Sequence, residues 1–336
     1  MAEGQSAILR GTREATRLHR DFGMQGYIVE HGGRIDVFGT LFASNVPLLF
    51  KPLDGLLGVF LTEPAPGVLI TTQRPLSIQR ITAAHELGHY KLKHKPSLDD
   101  ETILRRSPFF NTSRYDRQEM EADAFALTFL LPRWLFAAHF QRQGWTSNSM
   151  HNPQTVYQAS LRVGASYSAT CHALRRHQVI DRATCEALLH VEPRRLKQEL
   201  LPNYRPLDWR SDVWLLTEKD EGALIEGSHD DLFIVRLNEL SNAGYVWNFE
   251  ELEQAGFAIV RDEYEAPENE TIGGIVTRAV TAHSSDRHSG QFLLKETRPW
   301  LDNEPALAEF TLSFDLNGPE EEGLSRAERR YWLEAA

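Results

Sequence analysis

Residues 85–89 read H-E-L-G-H, an H-E-x-x-H motif inside a stretch whose apolar spacing predicts one helix from about residue 77 to about residue 95. Because a helix turns once about every 3.6 residues, His85 and His89 lie on one face. Each can offer an imidazole nitrogen to one metal ion, and Glu86 stands beside them, where it can take a proton from metal-bound water. The motif therefore predicts a metal-dependent hydrolase, and in the first place a peptidase.

Three fixed positions are a weak signal by themselves, because the chain holds 13 histidines and chance produces the motif roughly a few times in a hundred such chains. The alternative is a solvated helix face with two unrelated histidines. Residues 77–84 argue for the metal site, since their apolar side chains are spaced for a buried stripe. Glycine inside a helix costs about 1 kcal/mol relative to alanine, so at Gly88 we expect another element or a substrate to approach closely.

A second predicted helix runs from about residue 116 to about residue 131, where Pro132 ends it. Glu119 and Asp123 are four residues apart and share one face. We assign Glu119 as the third metal ligand, because catalytic zinc takes three protein ligands, and Asp123 as the residue that holds a ligand histidine by its other nitrogen. Glu121 points about 200° away and is the weaker candidate. The alternative is an exposed acidic turn, which the helix macrodipole favours.

These stretches resemble the ImmA/IrrE family of metallo-endopeptidases over about residues 5–200. The resemblance rests on residues 80–90, which include the H-E-x-x-H motif, on the run E-x-E-A-D-x-F-A at 119–126, and on L-L-P at 130–132. It implies a zincin-like metallopeptidase domain with an attached helical module. The residue spacing predicts only the metal site, whereas the resemblance predicts the class of substrate.

The resemblance also implies roles for individual residues. His85, His89 and Glu119 are expected to bind Zn²⁺, with Mn²⁺ as the alternative, and Glu86 is expected to be the general base. Members of the family are typically intracellular bacterial or phage regulators that cleave a protein partner. We therefore expect the substrate to be a helix-turn-helix transcriptional repressor or a co-encoded protein, cut as a switch in a stress or phage-defence response.

Composition limits the class of protein. A chain of 336 residues with 41% hydrophobic and 25% charged residues fits two or three globular domains. It has no run of apolar residues long enough to cross a membrane, and residues 1–20 lack the apolar block of a signal peptide. Cys171 and Cys185 are too few for a disulfide framework or a zinc cluster. We therefore expect a cytoplasmic protein without a membrane partner.

Charge is unevenly distributed along the chain. From Asp208 onward there are 28 acidic and 11 basic residues, a net charge of −17, whereas the first 207 residues carry 19 acidic and 25 basic residues, a net charge of +6. This change supports a domain boundary near residues 202–206. We predict a metallopeptidase domain at 1–140, a helix-turn-helix-like module at 141–205, a β-sandwich at 206–317 and an acidic tail at 318–336.

The first domain also predicts a small sheet beside the motif helix. Residues 57–61 and 67–71 read as strands, and residues 34–39 and 46–50 read as two strands or as a short helix plus a strand. An edge strand of this sheet could align an extended peptide by β-addition.

Residues 153–200 read as helical, and residues 156–177 fit a helix, a glycine turn and a second helix. Arg175, Arg176 and His177 end the second helix, where DNA could be contacted. The alternative is a packing module whose arginines stabilise a helix carboxyl end. We favour the packing module and expect no nucleic-acid partner.

Short runs of strand-forming residues separated by turn residues follow Trp209 and predict a β-sandwich. Three marks there resemble chagasin-type inhibitors of papain-like cysteine peptidases, which have an immunoglobulin-like fold. They are N-A-G-Y-x-W at 242–247, I-G-G at 272–274 and R-P-W at 298–300. The complete chain is therefore expected to have an α+β fold, in which a zincin-like domain and a helical module precede an immunoglobulin-like β-sandwich.

In that family the marks belong to three loops at one end of the sandwich. The first loop usually reads N-P-T-T-G-Y, whereas residues 240–245 read L-S-N-A-G-Y and lack the proline and both threonines. The resemblance of fold is therefore stronger than the resemblance of inhibitory function. Trp300 is either a binding anchor or a brace for its own loop. The candidate binding residues of the loops are Tyr245, Trp247, Gly273, Gly274, Arg298 and Trp300.

Together these observations predict a zinc metallo-endopeptidase whose sandwich recruits the substrate or regulates activity. Tyr90 and His94 are the nearest candidates for holding the oxyanion. The alternative is a binding protein or peptidase inhibitor that acts through the sandwich and carries an inactive or sensory metal domain. DNA binding through residues 156–177 ranks third.

Overall fold

The computed structural model of the chain describes residues 2–63, 65–95, 98–100, 116–202, 204–206, 208–265, 275–285, 288–301 and 305–334. Its α-helices are α1 (Ala2–Asp21), α2 (Met24–His31), α3 (Val37–Ala43), α4 (Leu76–Leu92), α5 (Arg117–Leu130), α6 (Arg133–Gln143), α7 (Pro153–Val163), α8 (Tyr167–Arg176), α9 (Arg182–Leu189), α10 (Pro193–Leu200), α11 (Glu250–Gln254) and α12 (Arg326–Glu334). Within these ranges, no helix combines the length and apolar character that a membrane crossing requires.

The strands of the described ranges fall into three sheets. They are β1 (Leu48–Lys51), β2 (Leu56–Leu61), β3 (Gly67–Thr71), β4 (Leu98–Asp100), β5 (Val213–Leu216), β6 (Ala223–Glu226), β7 (Leu232–Glu239), β8 (Val246–Asn248), β9 (Phe257–Glu265), β10 (Val276–Ser284), β11 (Ser289–Thr297), β12 (Ala308–Asp315) and β13 (Gly323–Leu324). A helical amino-terminal part followed by a strand-rich part confirms the predicted α+β fold class.

The chain divides into two compact units. The first unit comprises Met1–Glu30, Arg34–Phe136 and Gly318–Ala336, and the second comprises His31–Gly33 and Ala137–Asn317. This division differs from the four predicted segments at both ends of the sandwich, because residues 318–336 belong to the first unit and the helical module shares a unit with the sandwich.

In the first unit, a five-stranded sheet has the order β13-β1-β3-β2-β4. β1 runs parallel to β3, whereas β2 runs antiparallel to both β3 and β4. The three predicted strands at 46–50, 57–61 and 67–71 are therefore present. Residues 37–43 form a helix, because the Asp36 carboxylate accepts a hydrogen bond from Gly39 N at 2.9 Å and starts α3.

The helices of the first unit pack in the order α1, α5, α4, and glycines bring them close together. A Cβ on Gly11 of α1 would lie 2.2 Å from the carbonyl oxygen of Glu121, and a Cβ on Gly88 of α4 would lie 3.2 Å from Cα of Ala122. The close approach expected at Gly88 is therefore made by α5. This packing places the H-E-x-x-H helix against the helix that carries the predicted third ligand.

The predicted acidic tail is built into the first unit. β13 pairs antiparallel with β1. The buried side chain of Gln79 donates to the carbonyl oxygen of Glu320 at 3.1 Å and accepts from its amide nitrogen at 2.7 Å. Tyr331 of α12 packs on Phe42, with ring centroids 5.0 Å apart. Residues 318–334 are therefore held by sheet pairing and buried hydrogen bonds, which their acidic composition does not indicate.

The second unit contains two four-stranded sheets, β5-β7-β10-β9 and β6-β12-β11-β8. Their facing sides meet in a core of aromatic rings. Phe257 of one sheet lies edge-on to Phe292 and Phe314 of the other, with ring centroids 5.9 and 4.9 Å apart. This arrangement confirms the predicted immunoglobulin-like β-sandwich.

The helical module of the same unit shows the predicted helix, glycine turn and helix. α7 ends at Gly164, whose φ is +68°, and Ser166 caps α8 by accepting from Ala169 N. Arg162 forms a buried ion pair with Asp220 at 2.9 Å, which ties the module to the sandwich. Burial lowers the pKa of Arg176 to about 10. The packing interpretation of this module rests on the contact of Arg162 with Asp220, since Arg175, Arg176 and His177 at the end of α8 are partly exposed.

Candidate metal centre

α4 places both motif histidines inside the first unit. The side chains of His85 and His89 are 1% and 0% exposed, and their Nε2 atoms lie 2.9 Å apart. Two buried imidazole nitrogens this close together are arranged to bind one metal ion. The helical spacing of four residues is what brings them onto one face.

α5 adds the carboxylate. Its first turn begins at Asp116, whose side chain accepts from Gln118 N, so Glu119 emerges at the start of the helix. Glu119 Oε2 lies 3.4 Å from His85 Nε2, and Glu119 Oε1 lies 3.6 Å from His89 Nε2. Among the residues that the structure describes, His85, His89 and Glu119 form a group whose candidate ligand atoms all lie within 4.8 Å of one another.

This donor set fits zinc. Two imidazole nitrogens and one carboxylate oxygen are common zinc ligands, and ligands about 2.0–2.1 Å from zinc at tetrahedral corners stand about 3.3 Å apart. The three separations in the structure are 2.9, 3.4 and 3.6 Å. Glu119 is 15% exposed whereas both histidines are buried, so the group opens to solvent on the side of Glu119.

Nδ1 of His85, the ring nitrogen that points away from the other candidate ligands, faces Asp123. Asp123 Oδ1 lies 2.9 Å from His85 Nδ1, and Asp123 is one helical turn after Glu119 on the same face of α5. This is the position that the sequence predicts for it. A carboxylate at this nitrogen favours the tautomer that leaves Nε2 free to bind a metal.

The outer nitrogen of His89 faces His94. Lys93 ends α4 in the left-handed conformation, with φ at +58°, and this reversal lets His94 N donate to His89 O at 2.9 Å. Nδ1 of His94 lies 3.1 Å from Nδ1 of His89, and Nε2 of His94 lies 3.0 Å from Glu121 Oε2. His94 therefore lies behind His89, away from the side where the three candidate ligands converge, and is not placed to hold an oxyanion.

Glu121 is the charged end of this chain of contacts. Its side chain is 1% exposed, and its carboxylate oxygens are contacted by the side chains of Arg10, Arg117 and His94. Burial by itself raises the pKa of Glu121, but the hydrogen bonds from His94 and Arg117 and the charge of Arg10 outweigh it, so the pKa lies below its ordinary value. Burial lowers the pKa of His94. The pair therefore consists of a carboxylate and a neutral imidazole.

Glu86 lies within α4 next to His85, and it is fully buried. It faces β2 at Gly58, where an added Cβ would lie 3.1 Å from Glu86 Oε1 and 2.5 Å from Cγ2 of Thr82. The absence of a side chain at Gly58 thus leaves room for the carboxylate. Tyr90, the other oxyanion candidate, packs its ring on Phe60 with centroids 6.1 Å apart.

Three predicted loop residues of the sandwich come together. The Arg298 guanidinium lies 4.3 Å from the centre of the Tyr245 ring, and its Nε donates to Ala243 O. Trp300 is 65% exposed, and its ring covers Gly244, where a Cβ would lie 2.4 Å from it. Tyr245, Arg298 and Trp300 therefore form one surface cluster, in which Trp300 is exposed and the other two are half-buried.

The other predicted loop residues are placed differently. Trp247 is 4% exposed, and its indole nitrogen donates to Asn238 O at 2.8 Å, so it supports the fold from inside and is not available to a partner. Gly273 and Gly274 lie outside the described residues.

Comparisons with known proteins agree with both predicted resemblances. Residues 45–175 match the IrrE N-terminal-like domain, Peptidase_M78, and residues 228–314 match the chagasin family peptidase inhibitor I42. The first match covers most of the region with the candidate metal centre, and the second covers most of the sandwich. A comparison with curated proteins finds no match.

Two solved structures are similar to about a third of the chain. The cysteine protease inhibitor EhICP2 from Entamoeba histolytica shares 22% identity, over 32% of this chain and 98% of its own, with a TM-score of 0.29. The solution structure of amebosin shares 22% identity, over 31% of this chain and 96% of its own, with a TM-score of 0.26. The chain thus carries an IrrE N-terminal-like peptidase domain of the M78 family, followed by a domain of the chagasin inhibitor family.

Proposed function

We propose that this protein is a zinc-dependent metallo-endopeptidase that cleaves a specific protein partner. The observation that carries the proposal is the convergence of His85, His89 and Glu119 from two helices, at separations of 2.9 to 3.6 Å that suit one tetrahedral ion. The match to a peptidase family supports the reaction class. Mn²⁺ is the alternative ion.

The residues around the metal centre have separate roles in the proposed reaction. Zinc held by His85, His89 and Glu119 would supply a Lewis acid for the scissile carbonyl and would lower the pKa of a bound water. Glu86 accepts the proton of that water at its carboxylate and delivers it to the amine that leaves. Asp123 holds His85, and His94 with Glu121 holds His89, so that both Nε2 atoms face the same point.

The biological role follows the family resemblance. We place the partner among helix-turn-helix repressors or co-encoded regulators, and the cleavage in a stress or phage-defence response. The sandwich then recruits the substrate or regulates cleavage. Protein partners are what a peptidase domain joined to an inhibitor-type domain suggests.

The direct test is to incubate the zinc-loaded full chain with proteins made from the neighbouring reading frames and to identify new amino termini by mass spectrometry. The wild-type chain is expected to cut one of them, and Glu86→Gln is expected to bind zinc equally but to produce no cut. Equal cutting by Glu86→Gln would exclude Glu86 as the base. Zinc-independent cutting by both chains would exclude the metal mechanism.

A second candidate function is capture of a cysteine peptidase by the sandwich. The surface cluster of Tyr245, Arg298 and Trp300 favours it, since an aromatic ring braced on a loop end suits a binding anchor. The altered first loop argues against it. Inhibition of papain by the wild-type chain, lost in Trp300→Ala, would support this function, whereas undiminished papain activity would exclude papain as a target.

A further inference from the structure

A cavity of about 750 Å³ lies along α1 beside the carboxyl end of α4. Leu9 and Leu92 contribute apolar surface to it, and Leu9 is 48% exposed. We call this cavity the α1 groove. Its charged wall consists of Arg10, Arg13, Arg17, Lys91, Lys93 and the single acid Glu14.

Two of the five cations are already neutralised by the chain. Arg10 pairs with Glu121 and donates to Leu92 O at 2.9 Å, and Arg17 pairs with Asp21 at 3.3 Å. Arg13, Lys91 and Lys93 make no ion pair with any residue that the structure describes. The groove therefore carries positive charge that a ligand can neutralise.

The shape of the α1 groove distinguishes between kinds of anion. Its lining on α1 runs from Gln5 to Arg17, which is about 18 Å at about 1.5 Å per helical residue. One small anion would fill only part of that length and would leave Leu9 uncovered. A peptide segment that alternates acidic and apolar side chains matches both the charge and the apolar surface.

The α1 groove lies on the Glu121 side of α4 and α5, behind the candidate metal centre. Lys91 and Lys93 follow His89 by two and four residues, and Arg10 contacts the same Glu121 that bonds to His94. A chain segment bound there would contact the side of Glu121 and His94, away from the converging Nε2 atoms, so the groove would serve as a separate docking site for the substrate.

We infer that the α1 groove binds an acidic, partly apolar segment of the protein substrate, an inference that rests on the proposed peptidase function. Because the segment binds through Arg13, Lys91 and Lys93 rather than through the metal ligands, its affinity should depend on these cations and should fall as salt rises.

Binding can be measured apart from cleavage. The probe is a fluorescein-labelled peptide of about twelve residues, which spans about 18 Å as a helix, built from glutamate and leucine, and its anisotropy is followed with full-length Glu86→Gln protein. The matched probe replaces each glutamate by lysine. Charge reversal at Arg13→Glu with Lys93→Glu is compared with reversal at Arg20→Glu with Arg133→Glu, two exposed arginines outside the groove, with circular dichroism as the check on folding.

The acidic probe is expected to bind, the lysine probe not to bind, and the groove reversal to weaken binding at least tenfold while the control reversal changes it less than twofold. Equal binding by the two reversed proteins, or no binding of the acidic probe, would overturn the inference. A DNA duplex that binds more tightly and loses affinity with the groove reversal would also overturn it, by assigning the groove to nucleic acid. If the probe binds as expected but no protein is ever cut, the groove stands and the peptidase function fails.

Discussion

His94 is hydrogen-bonded on both sides: its Nδ1 lies 3.1 Å from Nδ1 of His89, and its Nε2 lies 3.0 Å from the carboxylate of Glu121. With Glu121 ionised and accepting the Nε2 proton of a neutral His94, Nδ1 of His94 is left to accept from Nδ1–H of His89. His89 is thereby held in the tautomer whose Nε2 carries a free lone pair. A charge buried on α5 thus determines which nitrogen of a residue on α4 can bind a metal.

Breaking this chain of contacts should weaken metal binding without removing a ligand. Glu121→Gln is expected to lower zinc affinity 10–100-fold, the usual effect of losing an outer partner of a ligand histidine. The measurement is competition for zinc with a chromophoric chelator. Glu63→Gln, a change at an exposed acid of the same unit, is the control. Unchanged affinity in Glu121→Gln would show that His89 is oriented by other contacts.

The contact of α1 with α5 should not tolerate a methyl group. In Gly11→Ala the new Cβ would lie 2.2 Å from the carbonyl oxygen of Glu121, so the backbone of α5 must shift, at a cost of about 1–3 kcal/mol in the free energy of unfolding. Gly26→Ala in α2 meets nothing within 4 Å and should gain up to about 1 kcal/mol. Urea denaturation of both variants tests this, and equal stabilities would contradict the packing.

The carboxyl-terminal segment should contribute to the stability of the first unit through Gln79. Gln79→Ala leaves the buried amide and carbonyl of Glu320 without their partner, which should cost about 2 kcal/mol or more. In a chain that ends at Asn317 the same substitution should cost much less, because the contact is already gone. The two changes in the free energy of unfolding, measured by denaturant unfolding, form a double-mutant cycle. Equal costs in both chains would mean that Gln79 acts independently of the segment.

The second unit should lose stability in mild acid through His139. Burial, aided by the charge of Arg162, lowers the pKa of His139 from 6.5 to about 4, although its hydrogen bond to Gly33 O opposes this. The neutral His139 therefore contributes its full stability above the pKa of the unfolded chain, 6.5. This stability is lost as pH falls through the pKa of the folded protein, about 4. Between about pH 7 and about pH 4 this amounts to about 3 kcal/mol.

His139→Gln, which stays neutral at every pH, isolates this effect. The wild-type chain is expected to lose stability relative to the variant as pH falls, and denaturant unfolding of the second unit at several pH values measures the difference. A difference that does not vary with pH would show that His139 titrates alike in the folded and unfolded chains.

The sequence predicted the parts of the site that follow from helical spacing. His85 and His89 are four residues apart, as are Glu119 and Asp123, and in a helix that spacing alone puts two side chains on one face. The prediction that these two helices meet relied on the need of zinc for a third ligand. Their close contact, made across Gly88, supports that inference.

The remaining features depend on contacts that local patterns do not record. His94 reaches His89 only because Lys93 adopts a left-handed backbone, and Glu121 meets His94 across 27 residues of chain. Gln79 and Glu320 are separated by 241 residues, so the composition around Glu320 predicted an acidic tail but not this contact. Burial of Glu121 is made tolerable by Arg10, which is 111 residues away in sequence, and burial of Glu320 by the nearby Arg326.

The chemistry proposed for this chain requires one metal ion held jointly by α4 and α5. Crystals of the zinc-soaked full chain, with diffraction data collected on both sides of the zinc absorption edge, test it most directly. We expect one anomalous peak bonded to Nε2 of His85, Nε2 of His89 and a carboxylate oxygen of Glu119. A peak bonded to other residues, or no peak at these three in a fully soaked crystal, would contradict it.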